Sequence, residues 1–270
     1  MVYLNDSKWW IITYNMSDMA ISPVYKQPPI TEAVIGVNFV NEVSESDLLN
    51  LKSKFSQHYP NYQLVENLSF KVELGVGDDN KKTANTDIAQ EIGHRLSTAN
   101  MTELLVILPK SIVVSQLAPY PGWDSFFKRF VRDWKLLKHA QGFQPIHRLG
   151  VRYINRIDIP CDTPIVEHEK YLNIYPNITG KYGPLTAYAV QAEVFMGDLE
   201  CRLTINSAVV PSPILNHASF VIDQDIAREI NVPQKDDDIF ALIEKIRFRK
   251  NDVFESCVTN EARALFKHDN

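Results

Sequence analysis

The chain has few of the features that disulfide-rich proteins, zinc sites and membrane proteins require. Its three cysteines, Cys161, Cys201 and Cys257, are widely spaced and form no C-x-x-C pair. Such isolated thiols fit a reducing compartment better than a disulfide framework. No apolar run approaches the ~20 residues that a membrane-spanning helix needs. These absences predict a cytoplasmic protein that does not enter a membrane.

Motifs for catalysis and cofactor binding are also missing. The ten glycines never form G-x-G-x-x-G or G-x-x-x-x-G-K-[ST], and there is no G-x-S-x-G. The seven histidines form no H-x-H or H-x-x-x-H pair. His168 lies between Glu167 and Glu169, which is more typical of a solvated helix start than of a metal ligand. We therefore predict no catalytic residue, no metal site and no cofactor, and the sequence favours a protein that is not an enzyme.

An excess of acidic residues limits the class of partner. The net charge is −5 and the isoelectric point is near 5.8. This balance argues against a general attraction to nucleic acid or to an anionic membrane surface. A local basic face remains compatible with it.

The most distinctive segment is RLGVRYINRIDIP, which runs from Arg148 to Pro160. Read with a period of two, it is mostly apolar on one face, whereas Arg148, Arg152, Arg156 and Asp158 share the other. At about 3.4 Å per residue, neighbouring arginines lie roughly 13–14 Å apart along the strand. That spacing is too wide for one small anion. It suits separate acidic partners on adjacent strands, or an extended anionic ligand.

Alternation with a period of two recurs along the chain, with helical spacing between the alternating segments. Strands are predicted at 31–39, 62–74, 104–108, 112–117, 148–160, 185–196, 201–210 and 218–225. Helices are predicted after the cap at Ser44, over 123–142, 166–174 and 236–247, and over 251–267 with Thr259 as a cap inside it. Residues 75–100 are polar and aperiodic, and we predict a long loop with a helical turn near 88–92.

The strongest helix starts at Trp123 and carries an aromatic stripe that is typical of a core-facing helix. The stripe consists of Trp123, Phe126, Phe127, Phe130, Val131, Trp134 and Leu137. The residues assigned to the other side are Lys128, Arg129, Arg132, Asp133 and Lys135.

The order strand, helix, two or three strands, helix occurs twice. It predicts an α+β fold with a long antiparallel sheet covered on one face by helices. We expect one domain over residues 28–270, with halves at 28–142 and 143–270. The same order occurs in the saddle of TATA-binding proteins, and a helix-grip sheet that encloses a lipid or steroid cavity is the alternative. Residues 1–27 are predicted to be an N-terminal arm or the product of an over-long start.

Several segments together resemble a sporadically distributed family of uncharacterised prokaryotic proteins of about this length. The matching segments are PPITEAVIGVNF, YPGW at 120–123, HRLGVRYINRIDIP at 147–160, FVIDQDI near 220–226 and FESCVTNEARALF at 254–266. The resemblance covers most of residues 28–267. It implies no catalytic residue and no cofactor. Sporadic distribution is common among accessory genes of the defence or toxin–antitoxin type.

The solvated sheet face is the candidate binding surface, because it collects polar side chains from several predicted strands. Its predicted members are Arg148, Arg152, Arg156, Glu193, Arg202, Asn206 and Asp223. One interpretation is a lattice of cross-strand ion pairs, each contributing about 0.2–1 kcal/mol. The other is a surface that binds a partner through the planar guanidinium fork.

Three functions follow from these observations. The leading hypothesis is a binding or regulatory protein that engages a protein partner, antitoxin-like or defence-associated. A nucleic-acid or nucleotide binder is the second; acidic residues on the same face, and Tyr153 on the opposite one, count against it. The third is an enzyme or small-ligand carrier with a pocket between sheet and helices. The sequence is also compatible with a homodimer.

Overall fold

The computed structural model describes residues 25–76, 82–161, 167–178, 181 and 183–266, without the side chains of Glu45 and of residues 66–91. Its strands form one long antiparallel sheet in the order β2-β3-β4-β5-β1-β6-β9-β8-β7. They are β1 (Ile30–Phe39), β2 (Asn61–Val76), β3 (Lys82–Ser97), β4 (Glu103–Leu108), β5 (Ser111–Leu117), β6 (Ile146–Pro160), β7 (Ala189–Met196), β8 (Cys201–Val210) and β9 (His217–Arg228). The helices are α1 (Glu45–Phe55), α2 (Trp123–Gln141), α3 (Asp236–Cys257) and α4 (Asn260–Leu265). The predicted α+β class and long antiparallel sheet are confirmed.

The chain divides into two compact units. We call Ile30–Asn155 with Val232–Gln234 the first unit, and Met1–Pro29 with Arg156–Asn231 and Lys235–Asn270 the second unit. Strand β6 continues from one unit into the other between Asn155 and Arg156. The predicted halves divide the chain before β6 rather than within it.

The first unit is built around α2 and the strands beneath it. Gly122 (φ 98°) precedes the helix, and Gly142 (φ 73°) ends it by donating its N–H to the Lys138 carbonyl at 2.8 Å. Glycine is favoured at both positions because a positive φ strains any residue with a Cβ. The aromatic stripe is packed: Phe130 stacks on Trp134 at 6.3 Å, and Trp134 stacks on Phe39 of β1 at 6.4 Å. The predicted core-facing role of the stripe is therefore correct.

Helix α1 starts as its sequence predicts. The Ser44 hydroxyl accepts the Asp47 N–H at 3.2 Å, which satisfies one of the free donors at the helix start. The helix buries Leu48, Leu51 and Phe55 and ends before Pro60.

In the second unit, α3 packs on β9, and α4 follows α3 along the chain. The side chain of Thr259 caps α4 by accepting the Ala262 N–H. The end of the predicted N-terminal arm belongs to this unit, because the Tyr25 hydroxyl donates to Glu255 at 2.8 Å and the Tyr25 ring meets Phe266 edge-on at 5.1 Å. The rest of that predicted arm, residues 1–24, lies outside the described residues.

The predicted loop at 75–100 is wrong, because β3 occupies Lys82–Ser97 and pairs with β2 from Asn61↔Ser97 to Val76↔Lys82. Strand β4 pairs with the last four residues of β3, His94–Ser97. The remaining length pairs with β2 through backbone hydrogen bonds, which form whatever the side chains are. Backbone pairing does not depend on an alternating apolar face, so β3 forms a strand although its sequence, unlike that of β2, carries no period of two.

Two helical predictions are also corrected. The predicted break between Arg247 and Asn251 does not exist, since α3 is continuous to Cys257 and the break falls at Val258 and Thr259. Where the break was predicted, the buried side-chain amide of Gln224 on β9 lies 3.2 Å from both the Lys250 carbonyl oxygen and the Phe254 nitrogen, and the amide orientation that satisfies both groups donates to the first and accepts from the second. A side chain inserted into the hydrogen-bond ladder perturbs a helix without ending it. The predicted helix at 166–174 is a 3-10 turn at His168–Lys170, and residue 166 is not described.

Candidate protein-interaction surface

Strand β6 presents its two faces as the alternation predicts. The odd-numbered residues from Leu149 to Ile159 are all buried, and the even-numbered Ile146 and Gly150 are buried as well. Arg152 is exposed, and Arg148 and Arg156 are half-buried. Arg148 lies opposite Asn38 of β1, and Arg152 lies opposite Val34. These two arginines belong to the first unit, whereas Arg156 belongs to the second.

Arg156 is engaged by a carboxylate of its own strand. Its Nε lies 3.0 Å from Oδ1 and 3.2 Å from Oδ2 of Asp158, and its Nη2 lies 3.1 Å from Oδ2. The Ser219 hydroxyl of β9 donates to the same carboxylate at 2.5 Å. Much of the bonding capacity of this guanidinium is therefore directed at its own sheet rather than at a ligand.

The other predicted surface residues of the second unit form pairs between neighbouring strands. Arg202 of β8 donates to Glu193 of β7 at 2.9 Å, and Asn206 of β8 donates to Asp223 of β9 at 3.3 Å. The Arg202–Glu193 pair is about half exposed on both sides, so it contributes at most about 1 kcal/mol. Within this unit the predicted residues therefore pair with other groups of the sheet, Arg156 within its own strand and the other four between strands.

The edge strand of the second unit, β7, is mostly exposed. Strand β7 lies at one end of the sheet order and pairs with β8. Its residues are exposed or half-buried except Met196. The Phe195 side chain is 69% exposed and that of Val194 is 49% exposed. An edge strand with apolar side chains in water is an unusual feature for a protein that has no partner.

The backbone of β7 determines which of its groups point to the open edge. The Val209 N–H of β8 donates to the Tyr188 carbonyl at 3.0 Å, and the register continues from there as Ala189↔Ala208. Antiparallel partners alternate between hydrogen-bonded and non-hydrogen-bonded pairs. The even-numbered residues of β7 therefore bond to β8, while Ala189, Gln191, Glu193 and Phe195 direct their N–H and C=O groups outward.

Strand β7 has few of the features by which edge strands commonly avoid pairing with another strand. Natural edges carry lysine, proline, bulges or very short strands, which prevent another strand from pairing. The sequence AVQAEVFM has eight residues, no lysine, no proline and one charge, Glu193. The register with β8 is continuous from Ala189 to Met196, without a bulge. Within the part of the chain that the structure describes, β8 is the only strand that pairs with β7, and the outer edge of β7 can therefore pair with a further strand.

Sequence reasoning missed a buried polar cluster under α2, in the first unit. It placed Arg129 and Asp133 on the outer side of the helix, but Arg129 is 6% exposed and Asp133 is fully buried. The Tyr59 hydroxyl donates to Asp133 at 2.5 Å, and Arg132 forms an ion pair with Asp133 at 2.8 Å. Arg129 donates to the Ser115 carbonyl at 2.8 Å. Burial raises the pKa of the Asp133 carboxyl, against the opposing effects of Tyr59 and Arg132.

This polar cluster ties α2 to the strands below it. Arg129 also donates to Gln116 at 3.3 Å, and its Nε lies 3.7 Å from Glu103 at the start of β4. These side chains bond to one another and to groups of β4 and β5, which is the arrangement of a structural network. We assign the cluster to fold stability rather than to ligand binding.

His168 is a packed residue rather than a solvated one, so the predicted solvated helix start is wrong. Its ring meets Tyr175 edge-on at 4.6 Å and lies 5.7 Å from the ring of Tyr188. It is 9% exposed. Among the described residues, no group of three or more His, Cys, Asp or Glu side chains is arranged to hold a metal ion.

No protein-family model matches the chain, and no curated protein matches it either. Among solved structures, DynU16, a protein of the dynemicin biosynthetic locus, has 9% sequence identity and a TM-score of 0.20, over 87% of this chain and 97% of its own. The Pct1 RNA triphosphatase of S. pombe, in complex with the Spt5 CTD, has 9% identity and a TM-score of 0.13, over 88% and 86%. The same enzyme without the Spt5 CTD has a TM-score of 0.12. At these scores the likeness carries no argument about fold or function.

One further finding concerns membranes. In the part of the chain that the structure describes, no helix combines the length and the apolar character needed to cross a membrane.

Proposed function

We propose that this protein is a non-catalytic binding protein that engages a protein partner by strand addition at β7. The observation that carries the proposal is the open edge itself. Four alternate residues, Ala189, Gln191, Glu193 and Phe195, direct backbone donors and acceptors outward, and seven of the eight residues of β7 are exposed or half-buried. Main-chain hydrogen bonds to such an edge supply affinity, and alternate side chains supply specificity.

The side chains support a protein partner rather than nucleic acid. Phe195 and Val194 offer apolar area, and aromatic residues are enriched at the centres of protein interfaces. The arginines of the second unit's charged face are paired with carboxylates, as Arg156 is with Asp158, which reduces their attraction for phosphate. A regulatory role of the antitoxin or defence-associated type is a proposal that the sequence resemblance alone supports.

A proline at position 191 tests strand addition. The Gln191 N–H points outward, so Gln191→Pro removes a donor at the open edge without removing a bond to β8. We expect Gln191→Pro to abolish capture of the partner, and the matched variant Gln191→Ala, which keeps the N–H, to retain it. The measurement is affinity capture with the tagged full chain, quantified by mass spectrometry for the three proteins in parallel, with circular dichroism to verify folding.

The outcomes separate clearly. A stoichiometric protein that is held by the wild type and by Gln191→Ala, but lost with Gln191→Pro, supports strand addition. Partners held equally by all three proteins, or no stoichiometric partner at all, contradict it. A second copy of this chain, distinguished by a different tag, counts as a partner in this experiment.

A further inference from the structure

We infer that the partner at β7 is a second copy of this chain, paired antiparallel about a two-fold axis through Ala192. This inference rests on the proposed function and states which protein supplies the strand that pairs with β7. A two-fold axis perpendicular to a sheet places each edge strand antiparallel to its own copy, which joins two sheets into one. The backbone direction, the charge pattern and the side-chain sizes of β7 each restrict how that pairing forms.

Backbone direction restricts the register first. Only the odd-numbered residues direct their N–H and C=O groups to the open edge. Hydrogen-bonded pairs across the axis must therefore join odd residues to odd residues. This requires that one residue of β7 lies directly opposite the same residue of the copy, with the two-fold axis between them. The centres that overlap most of the strand are Ala192 and Glu193.

Charge decides between these two centres. An axis through Glu193 would place two Glu193 carboxylates directly opposite each other, which is destabilising. An axis through Ala192 places Glu193 opposite Gln191 of the copy, twice by symmetry, and an amide donates well to a carboxylate. Glu193 also keeps its ion pair with Arg202 on its own chain, at 2.9 Å. The centre at Ala192 is therefore the register that the sequence of β7 permits.

Side-chain size agrees with the same centre. With the axis at Ala192, Val190 lies opposite Val194 of the copy, and Ala189 lies opposite Phe195. Val190, Ala192 and Val194 share the face of the sheet on which Leu203 and Ile205 of β8 are buried. They form the non-hydrogen-bonded pairs, where side chains approach most closely. Dimer formation would remove the exposed Val194 from water.

The first test is the oligomeric state of the full chain, measured by sedimentation velocity from about 1 to 100 µM, the range of a small interface. We expect a concentration-dependent dimer for the wild type and Gln191→Ala. Gln191→Pro should weaken dimerisation about tenfold or more, because it deletes two edge hydrogen bonds by symmetry. Gln191→Glu places carboxylates opposite Glu193 and should weaken the dimer about threefold or more, without a change in backbone geometry.

The second test fixes the register by disulfide formation. At a two-fold axis, the Cα atoms of a non-hydrogen-bonded pair lie about 4.5 Å apart, within the range that a disulfide spans. Ala192→Cys should cross-link to its copy under mild oxidation, and Glu193→Cys should not. Both variants carry Cys161→Ser. Cys201 and Cys257 are buried, and burial raises the pKa of each thiol to about 11, so they contribute little background.

Four results decide the inference. A dimer that Gln191→Pro weakens and that cross-links through Ala192→Cys supports it. Cross-linking through Glu193→Cys instead overturns the register. A monomer at every concentration, or a dimer insensitive to Gln191→Pro, overturns the second copy as occupant. If the chain is monomeric but still captures another protein in a way that Gln191→Pro abolishes, the proposed strand addition is supported and the second copy is excluded. If Gln191→Pro changes neither capture nor dimerisation, both the proposed function and this inference are wrong.

Discussion

Replacing Asp133 by alanine is expected to lower the free energy of unfolding by about 3–5 kcal/mol. The carboxylate is fully buried and accepts the Tyr59 hydroxyl at 2.5 Å and the Nε of Arg132 at 2.9 Å. Its removal leaves the buried Tyr59 hydroxyl without this acceptor, and leaves Arg132, whose side chain is 35% exposed, without its ion-pair partner. Groups deprived of partners in this way cost more than the lost contact itself. Guanidinium denaturation followed by tryptophan fluorescence measures the change.

Two further variants serve as comparisons for the loss of stability expected from Asp133→Ala. Asp124, an exposed acid in the first turn of the same helix, contributes only to the helix dipole, so Asp124→Ala should cost less than about 1 kcal/mol. Tyr59→Phe removes the hydroxyl and keeps the ring, and should cost about 1–2 kcal/mol. The double variant Tyr59→Phe with Asp133→Ala should cost less than the sum, because both remove one contact. A loss below about 1 kcal/mol for Asp133→Ala would contradict a structural role for this cluster.

The position of Asp133 could have been read from helix geometry. Seven residues turn a helix through about two turns, short by about 20°. Asp133 lies seven residues after Phe126 and four before Leu137, both of which are buried. It therefore falls inside the apolar stripe, not opposite it. Sorting residues by polarity hid this, because it assigned every charged residue of α2 to the solvent side.

The fold was predictable wherever one face of an element is buried. Strands β1, β4, β5, β6 and β8 were predicted because one of their faces is apolar, and the burial pattern of β6 alternates from Val151 to Ile159 as predicted. Strand β3 was missed because most of its length pairs with β2 outside the reach of β4. The continuity of α3 was missed because Gln224, which inserts at Lys250 and Phe254, comes from a different element.

The candidate site was predictable only in part. The sequence indicated a polar face and named Glu193, Arg202, Asn206 and Asp223, which the structure joins as cross-strand pairs. It could not indicate that β7 is an edge strand, because strand order depends on pairings between distant segments. A sequence signal did exist: AVQAEVFM carries one charge and no proline. That signal acquires meaning only once the strand is known to lie at the end of the sheet.

Replacing Lys250 by methionine is expected to raise the free energy of unfolding by about 1–4 kcal/mol at roughly pH 6. Lys250 is 8% exposed on α3. Burial, and next the charge of Arg247, lowers the pKa of its amine to about 7, although Glu255 acts in the opposite direction. The unfolded chain has a lysine pKa of about 10.4. The folded protein therefore holds an ammonium group in an unfavourable environment at acidic pH, and methionine replaces it with an apolar chain of similar length.

The increase in the free energy of unfolding caused by Lys250→Met should become smaller as the pH rises. Below about pH 7 both the folded and the unfolded chain carry the proton, so the wild type bears the full cost of the buried charge. Between about pH 7 and 10 the unfolded chain holds a proton that the folded chain has released, so wild-type stability rises by up to about 1.4 kcal/mol per pH unit. At roughly pH 9.5 most of the advantage of Lys250→Met should therefore be lost.

The matched control is Lys245→Met, an exposed lysine on the same helix. It should change the free energy of unfolding by less than about 0.5 kcal/mol at either pH, so a pH-dependent difference between the two variants belongs to position 250. Destabilisation by Lys250→Met at acidic pH would show that the polar contacts of the amine outweigh the cost of its burial. A gain that stayed constant with pH would show that packing, rather than the depressed pKa, sets the stability of α3 at this point. Loss of the gain with rising pH is the result that only a buried, titrating amine produces.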